Sequence, residues 1–372
     1  MKRVVVSAGG TGGHIFPALA VADEIRERYP WAEIVFVGGE KNLERRWAEK
    51  RGLSFLSLPA KGVLGRGIRS LGSILWISRS MLKCSAFYRR FRPQVVIGFG
   101  SYAGFVPVWM ACRQRIPSAI HEQNNLPGMT NKVLGKKVDR IFLTFPDESE
   151  SFPAEKVVQT GNPVRKDLLQ MGEREKLYAH EGAKNIFVFG GSQGAQVLNR
   201  VILRALPSLK SFRVNIMHQT GEEDYQQVRE EYRKQGLDDA QVYPFIEDIG
   251  GAYRWADLVI SRAGASTLAE LTVMGRPSIL IPFPYATHAH QLDNARYLER
   301  QGAAYVLEQS YLDEVNLTNM IGDLLSLSGK LKEMGFAARK LSRPHAAESI
   351  VDELERMLHE SGLDSNGERS RA

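Results

Sequence analysis

The sequence contains only two cysteines, Cys84 and Cys112, in 372 residues. Neither their number nor their spacing suits a metal-ligand set or a disulfide framework, so a reducing cytoplasm is the default reading. Nothing approaches the roughly 18 uninterrupted apolar residues that suggest a membrane span. The N-terminal MKRVVVSAGG starts with basic residues, but Gly9 and Gly10 cut its apolar run short of what a secretory signal needs. No D-x-D pair is available to hold a divalent ion against a diphosphate. No G-x-x-x-x-G-K-[ST] occurs either, which excludes the P-loop nucleotide site. The most informative absence is of acid. From Lys50 to His121 there are twelve Lys or Arg and no Asp or Glu, whereas the remainder carries 37 basic against 42 acidic residues. The formal charge of +7 is therefore concentrated in one part of the first half.

What is present has the balance of a globular protein, 43% hydrophobic and 24% charged, at a length suited to two α/β domains. The two halves begin alike. KRVVVSA is a β-branched run followed by GGTGGH and a helical pattern from Pro17 to Arg28, with Leu19, Ala20 and Ile25 on one face. NIFVF is followed by GGSQGA and a helical pattern from Gln196 to Leu206. Between them recur EIVFVG, QVVIGF, IPSAI, ADLVI and PSILIP, continuous apolar strands separated by helical stretches. That alternation predicts parallel sheets covered on both faces, in two doubly wound domains of the Rossmann type. The turn-rich GNPVRKD, Gly161 to Asp167, is the expected boundary. It gives a first domain over 1–162 and a second over 163–344. HAAESIVDELERMLHE, with Ile350, Leu354 and Leu358 four residues apart, predicts a helix over 345–360 that joins the first domain. The polar tail 361–372 is expected to be disordered.

Several clusters carry candidate chemistry. A glycine-rich turn between strand and helix lets backbone N–H groups approach an anionic or polyhydroxyl ligand. GGTGGH is such a turn, but Ile15 stands where the dinucleotide fingerprint needs its third glycine. His14 at its mouth is either a general base or a helix cap. In GGSQGA, Ser192 and neighbouring amides are placed to hold a diphosphate, unless the segment is only a tight turn. In SRAGASTLAE, Ala263 to Ser266 reads as a loop at a strand's carboxyl end and Thr267 to Leu271 as a first helical turn. Glu270 there either caps a helix dipole or accepts from two ribose hydroxyls. HEQNN places Glu122, Gln123, Asn124 and Asn125 at another strand end. His288, His290, Gln291 and Asn294 lie together further on, and two histidines without further ligands do not make a metal site. GVLGRGIRSLGSILWISRSMLK mixes Arg66, Arg69, Arg79 and Lys83 with Ile74, Leu75 and Trp76. It reads as core packing, or as a basic apolar surface for anionic lipid; nucleic acid is the rival partner, but no binding module accompanies the charge.

Taken in order, AGGTGGHIFPALAVA, HEQN followed by Asn131 and Lys132, GNPVR, GGSQGA, SRAGASTLAE and HQLDNA resemble the MurG family of UDP-N-acetylglucosamine transferases along nearly the whole chain. The chain departs at GFGSYAGFVP, where the family usually has a second glycine at the position of Ser101 and a serine near Gly104. The resemblance implies the GT-B fold, two Rossmann-like domains facing a cleft. It implies an inverting, metal-independent transfer of GlcNAc from UDP-GlcNAc to the C4 hydroxyl of MurNAc in lipid I, forming lipid II for the cell wall. It implies donor contacts from Arg165, Ser192, Ile246, Ala265, Ser266, Thr267, Glu270 and Gln291, completed by Thr11, Gly12, Gly13 and Asn124. His14 is the first candidate general base and Glu122 the second. No cofactor and no metal is expected. The lipid acceptor implies a peripheral location on the cytoplasmic face of the cell membrane, on anionic lipids, among cell-wall synthesis or division proteins, with no nucleic acid partner. The rivals are a GT-B transferase with another acceptor, and a nucleotide-binding protein without catalysis.

Overall fold

A computed structural model describes residues 1–40, 42–59, 70–174, 182–191, 194–237, 240–285, 290–327 and 329–362. The predicted tail beyond Gly362 and the expected contributors Arg66, Arg69, Ser192 and His288 lie outside the described residues, as do the side chains of Ile74 and Leu75. The contacts divide the chain into two compact units, Met1–Arg165 with Pro344–Ala372, and Lys166–Arg343.

The first unit holds a seven-stranded, wholly parallel sheet in the order β3-β2-β1-β4-β5-β6-β7. Its elements are β1 (Arg3–Ser7), α1 (Gly12–Arg28), β2 (Glu33–Gly38), α2 (Asn42–Lys50), β3 (Ser54–Ser57), α3 (Ser70–Phe91), β4 (Val95–Gly98), α4 (Ser101–Arg113), β5 (Ser118–Glu122), α5 (Met129–Gly135), β6 (Arg140–Leu143) and β7 (Val157–Gln159). The continuous valine run of β1 is explained by burial on both faces. Val4 and Val6 enter one core with Ile15 and Leu19 of α1, while Val5 enters the other with Tyr88 of α3 and Val106 of α4.

The second unit contains α6 (Lys166–Arg174), β8 (Lys184–Phe189), α7 (Gln196–Leu209), β9 (Val214–Gln219), α8 (Tyr225–Lys234), β10 (Gln241–Tyr243), α9 (Ile249–Trp255), β11 (Leu258–Ser261), α10 (Ala265–Met274), β12 (Ser278–Leu280), α11 (His290–Arg300), β13 (Ala304–Val306), α12 (Glu314–Ser326) and α13 (Lys330–Lys340). Its parallel sheet runs β10-β9-β8-β11-β12-β13. Ile186 and Val188 bury against Leu198, Ile202 and Leu206 of α7.

The last helix, α14 (Ala346–Glu360), belongs to the first unit and packs on α1. Ile350, Leu354 and Leu358 are all buried there. Each such side chain removed from water contributes about 1.5–3 kcal/mol. Arg28 pairs with Asp352 at the rim of this contact, and Arg140 reaches Glu360 at 2.8 Å.

Candidate functional site

In a doubly wound sheet, ligands bind outside the carboxyl ends of the strands where strand order reverses. In the first unit that point lies between β1 and β4, because the chain runs outward from β1 through β2 and β3 and returns to β4 on the other side. The segment Gly9–Thr11 follows β1, and Phe99–Gly100 follows β4. The sequence marks the second of these turns only as a departure from the family, although GFGSYA also has the G-x-G-x-x-A spacing of a strand-to-helix turn.

The expected helix start at Pro17 is corrected: α1 begins at Gly12, with Thr11 as N-cap in an extended conformation. Pro17 sits inside the helix, where it has no N–H to give the carbonyl four residues back, and the helix runs through it. His14 is thus the third residue of α1, not its cap. Its Nδ1 lies 3.4 Å from Thr11 Oγ1. A Cβ on Gly100 would stand 3.2 Å from His14 Cδ2, and φ there is +82°, so glycine is required beside this imidazole. The buried carboxylate of Glu44 on α2 holds the first loop by accepting from Gly10 N at 2.9 Å.

The polar cluster after IPSAI begins inside the sheet, since β5 continues through His121 and Glu122. Both are buried. His121 Nε2 donates to Gly161 O at 3.0 Å, and burial lowers the ring's pKa to about 4, so it is a neutral imidazole. Glu122 accepts from Asn124 N at 3.0 Å, Asn124 Nδ2 at 3.3 Å, Gly128 N at 3.0 Å and Asn131 Nδ2 at 2.8 Å. Burial raises its pKa while these four donors lower it, and burial is the larger effect. The carboxylate is committed to shaping the loop Asn124–Gly128 and the first turn of α5, an arrangement that suits a positioning group better than a proton acceptor for substrate. Gln123 is buried as well and donates to Phe99 O at 3.1 Å, tying this loop to the turn after β4.

In the second unit the strand order reverses between β8 and β11. Gly190–Ala195 follows β8, and Arg262–Gly264 follows β11 and leads into α10. The sequence reading placed the start of this helix at Thr267; it starts at Ala265, with Gly264 as N-cap. Ala265, Ser266 and Thr267 form its first turn, and Glu270 falls in the second, too far along for capping to account for it. Instead Tyr253 OH donates to Glu270 Oε2 at 2.8 Å. Gln291, on α11, accepts from Ala263 N at 3.2 Å and Phe283 N at 2.9 Å, which directs its amide nitrogen away from those two loops as a donor. Arg165 is the last residue of the first unit and is half-buried.

Two residues of this unit were not found from sequence. Arg262 is buried with neutral acceptors only: Ile281 O at 3.1 Å, Pro282 O at 3.3 Å and Gln309 Oε1 at 2.7 Å, its guanidinium lying over the Phe283 ring. Burial brings its pKa down to about 10, which leaves it charged at neutral pH. It fixes the segment whose Phe283 N grips Gln291. Gln219, at the end of β9, bridges Gly191 O and Ile246 N. A second buried group backs this bridge. Asn199 Nδ2 donates to Thr220 O at 2.9 Å, His218 Nε2 donates to Asn199 Oδ1 at 3.1 Å, and Tyr232 OH donates to His218 Nδ1 at 3.2 Å. His218 is fully buried, and its pKa is lowered to about 3.

Among the described residues no group of three or more His, Cys, Asp or Glu is placed to hold a metal ion. Of the basic apolar stretch, Arg79 and Lys83 are exposed, Leu82 is 71% exposed, and Trp76 is half-buried. No described helix is long and apolar enough to cross a membrane.

Two parallel α/β sheets, each with glycine-rich turns at its reversal point, are the architecture of a GT-B glycosyltransferase. The profile described as the glycosyltransferase family 28 N-terminal domain matches residues 4–143, and that of the family 28 C-terminal domain matches 185–350. A UDP-N-acetylglucosamine--N-acetylmuramyl-(pentapeptide) pyrophosphoryl-undecaprenol N-acetylglucosamine transferase from Nitratidesulfovibrio vulgaris is 44% identical over 96% of this chain and 98% of its own. The enzyme of the same name from Solidesulfovibrio magneticus is 45% identical over 97% and 100%. The crystal structure of Acinetobacter baumannii MurG superposes with a TM-score of 0.78 at 31% identity, covering 96% of this chain and 100% of that one. The chain belongs to glycosyltransferase family 28 and, within it, to the MurG family.

Proposed function

We propose that the chain transfers N-acetylglucosamine from UDP-N-acetylglucosamine to the C4 hydroxyl of the muramyl sugar in undecaprenyl-pyrophosphoryl-MurNAc-pentapeptide, the step that makes lipid II. The observation that carries this reading is near-full-length relatedness at 44–45% identity to enzymes of that name, beside glycine-rich turns at the reversal points of both sheets.

The second unit takes the donor. The glycine loop after β8, with Ser192, and the N-terminus of α10 at Ala265–Thr267 face the diphosphate with backbone N–H groups. Arg165 adds a fixed positive charge. Ile246 reads the uracil through its backbone, Glu270 accepts from the ribose hydroxyls, and Gln291 donates to the sugar. The first unit takes the acceptor, while its Thr11, Gly12, Gly13 and Asn124 complete the contacts to the UDP-sugar. As the C4 oxygen forms its bond to the anomeric carbon, the C–O bond to UDP breaks on the opposite face, giving a β1→4 link with inversion. The hydroxyl proton passes to His14, a general-base contribution of about 10²–10⁴ in rate. Negative charge gathered on the departing UDP is stabilised by the helix N-terminus and Arg165.

An acceptor with a polyprenyl chain stays in a bilayer, so the chain works as a peripheral protein on the cytoplasmic face, on anionic lipids. Within the acid-free stretch from Lys50 to His121, the segment carrying Arg66, Arg69, Ile74, Leu75, Trp76, Arg79 and Lys83 is the surface for that. Its place beside other cell-wall synthesis or division proteins follows from the same reading.

The test is transfer of labelled GlcNAc from UDP-GlcNAc to a lipid I analogue by the full chain. A β1→4-linked product is expected. UDP binding without any transfer would instead make the chain a nucleotide-binding protein.

A further inference from the structure

Gln219 is the last residue of β9 and is buried. In the sheet β9 lies between β8 and β10, so its end stands between the loop after β8 and the segment after β10. Its side chain joins the two. Nε2 donates to Gly191 O at 3.1 Å, and Oε1 accepts from Ile246 N at 2.9 Å. The next residues strengthen the same seam, with Thr220 N donating to Tyr243 O at 3.0 Å and Gly221 N to Pro244 O at 3.1 Å. A side chain must donate at one atom and accept at another two bonds away to make this bridge, and a primary amide does so.

The bridge has a consequence for nucleotide choice. Because Gln219 occupies the N–H of Ile246, the backbone group this residue has left to offer is its carbonyl, which takes no hydrogen bond among the described residues. A carbonyl accepts from the N3–H of uracil and opposes the N3 lone pair of cytosine. We propose that Gln219 is a positioning and specificity-determining residue. It locks the base-reading backbone at Ile246 to the glycine loop after β8 and leaves only an acceptor for the base, so that the unit selects a uridine diphosphate. This rests on the reading that the second unit binds the UDP-sugar.

The experiment is calorimetric titration of the full chain with UDP and with CDP, for the wild type, Gln219→Met and Gln219→Glu, alongside thermal denaturation. Methionine fills the space but makes neither bond, freeing the Ile246 N–H for the cytosine N3. The preference for UDP over CDP should fall about tenfold, as expected when a hydrogen-bonding site loses its polarity. Glutamate still accepts from Ile246 but cannot donate to Gly191. Both affinities should drop about tenfold while the UDP to CDP ratio stays near the wild-type value. Retention of the wild-type ratio by Gln219→Met would overturn the proposal. If that variant does not fold, loss of the ratio in Gln219→Glu does the same. A wild-type chain that binds no UDP would overturn the donor-site reading itself, whereas tight UDP binding unaffected in both variants removes only the role of Gln219.

Discussion

Tyr253 and Glu270 are joined by a 2.8 Å hydrogen bond that links α9 to α10. The tyrosine ring is fully buried edge-on against Phe187 and Phe189 of β8, so its hydroxyl is a fixed donor that aims the carboxylate. Tyr253→Phe keeps the ring and removes the hydroxyl. UDP affinity should fall about tenfold, corresponding to about 1.4 kcal/mol for a bond to a charged group, with little change in melting temperature. Calorimetry with UDP checks this, and unchanged affinity would detach Tyr253 from donor binding.

His14 and Glu122 separate by kinetics. His14→Ala should lose about 10²–10⁴ in kcat while keeping UDP-GlcNAc affinity. Near-wild-type turnover would remove His14 from the chemistry. Glu122→Gln replaces one acceptor with a donor among four donors, and should cost about 2–3 kcal/mol of stability. The shape of its pH–rate profile should match the wild type; disappearance of the acidic limb would make Glu122 the base instead.

Ser101 holds φ of +66°, in the left-handed region that favours glycine. An L side chain there is strained by about 1–2 kcal/mol. Ser101→Gly should raise the midpoint of thermal denaturation by a few degrees, after part of the gain is offset by the greater freedom of glycine in the unfolded chain. A lower midpoint would show that the hydroxyl contributes more than the strain costs.

Two buried imidazoles set the acid side of stability. His121 and His218 have folded pKa values of about 4 and about 3, below the 6.5 of a free imidazole. As pH falls below 6.5 the unfolded chain takes up protons that the folded chain refuses, so stability is lost progressively towards pH 4 and below. His218→Gln should be less stable at pH 7 and show a shallower decline between pH 6 and 4 in urea denaturation. An equally steep decline would place the acid sensitivity elsewhere.

The acid-free stretch makes a separate prediction. Changing Arg66, Arg69 and Arg79 to glutamine should weaken binding to vesicles containing anionic lipid, by about 1 kcal/mol for each charge near the surface. Transfer to a soluble acceptor analogue should be retained. Equal vesicle binding by the triple variant would count against this surface.

What could be read from the sequence was what repeats locally. The β-branched runs at Val4–Val6 and Ile186–Val188 were legible because both faces of these strands are buried, which leaves no polar alternation. The 350, 354, 358 spacing marked α14 for the same reason. Helix starts were misplaced where a local rule competed with the turn. Pro17 resembles a first-turn proline, yet α1 begins five residues earlier because the glycines and Thr11 carry the chain into it. Gln219 and Arg262 left no signature, since what defines them is side-chain bonding to backbone from other strands, 27 or 28 residues away for Gln219. Glu122 is legible as a polar residue at a strand end and as the second candidate base, but its four donors come from the loop and helix that follow and have no signature in the spacing.

Gly194 limits how this fold can be altered. A Cβ there would sit 2.1 Å from the carbonyl oxygen of Thr220, in a backbone with φ of +76°. Even alanine does not fit without moving the end of β9 away from the loop. Randomising this codon and selecting for function should therefore return glycine alone, and any engineered change of donor must be sought at side chains that line the nucleotide, not in the loop's spine.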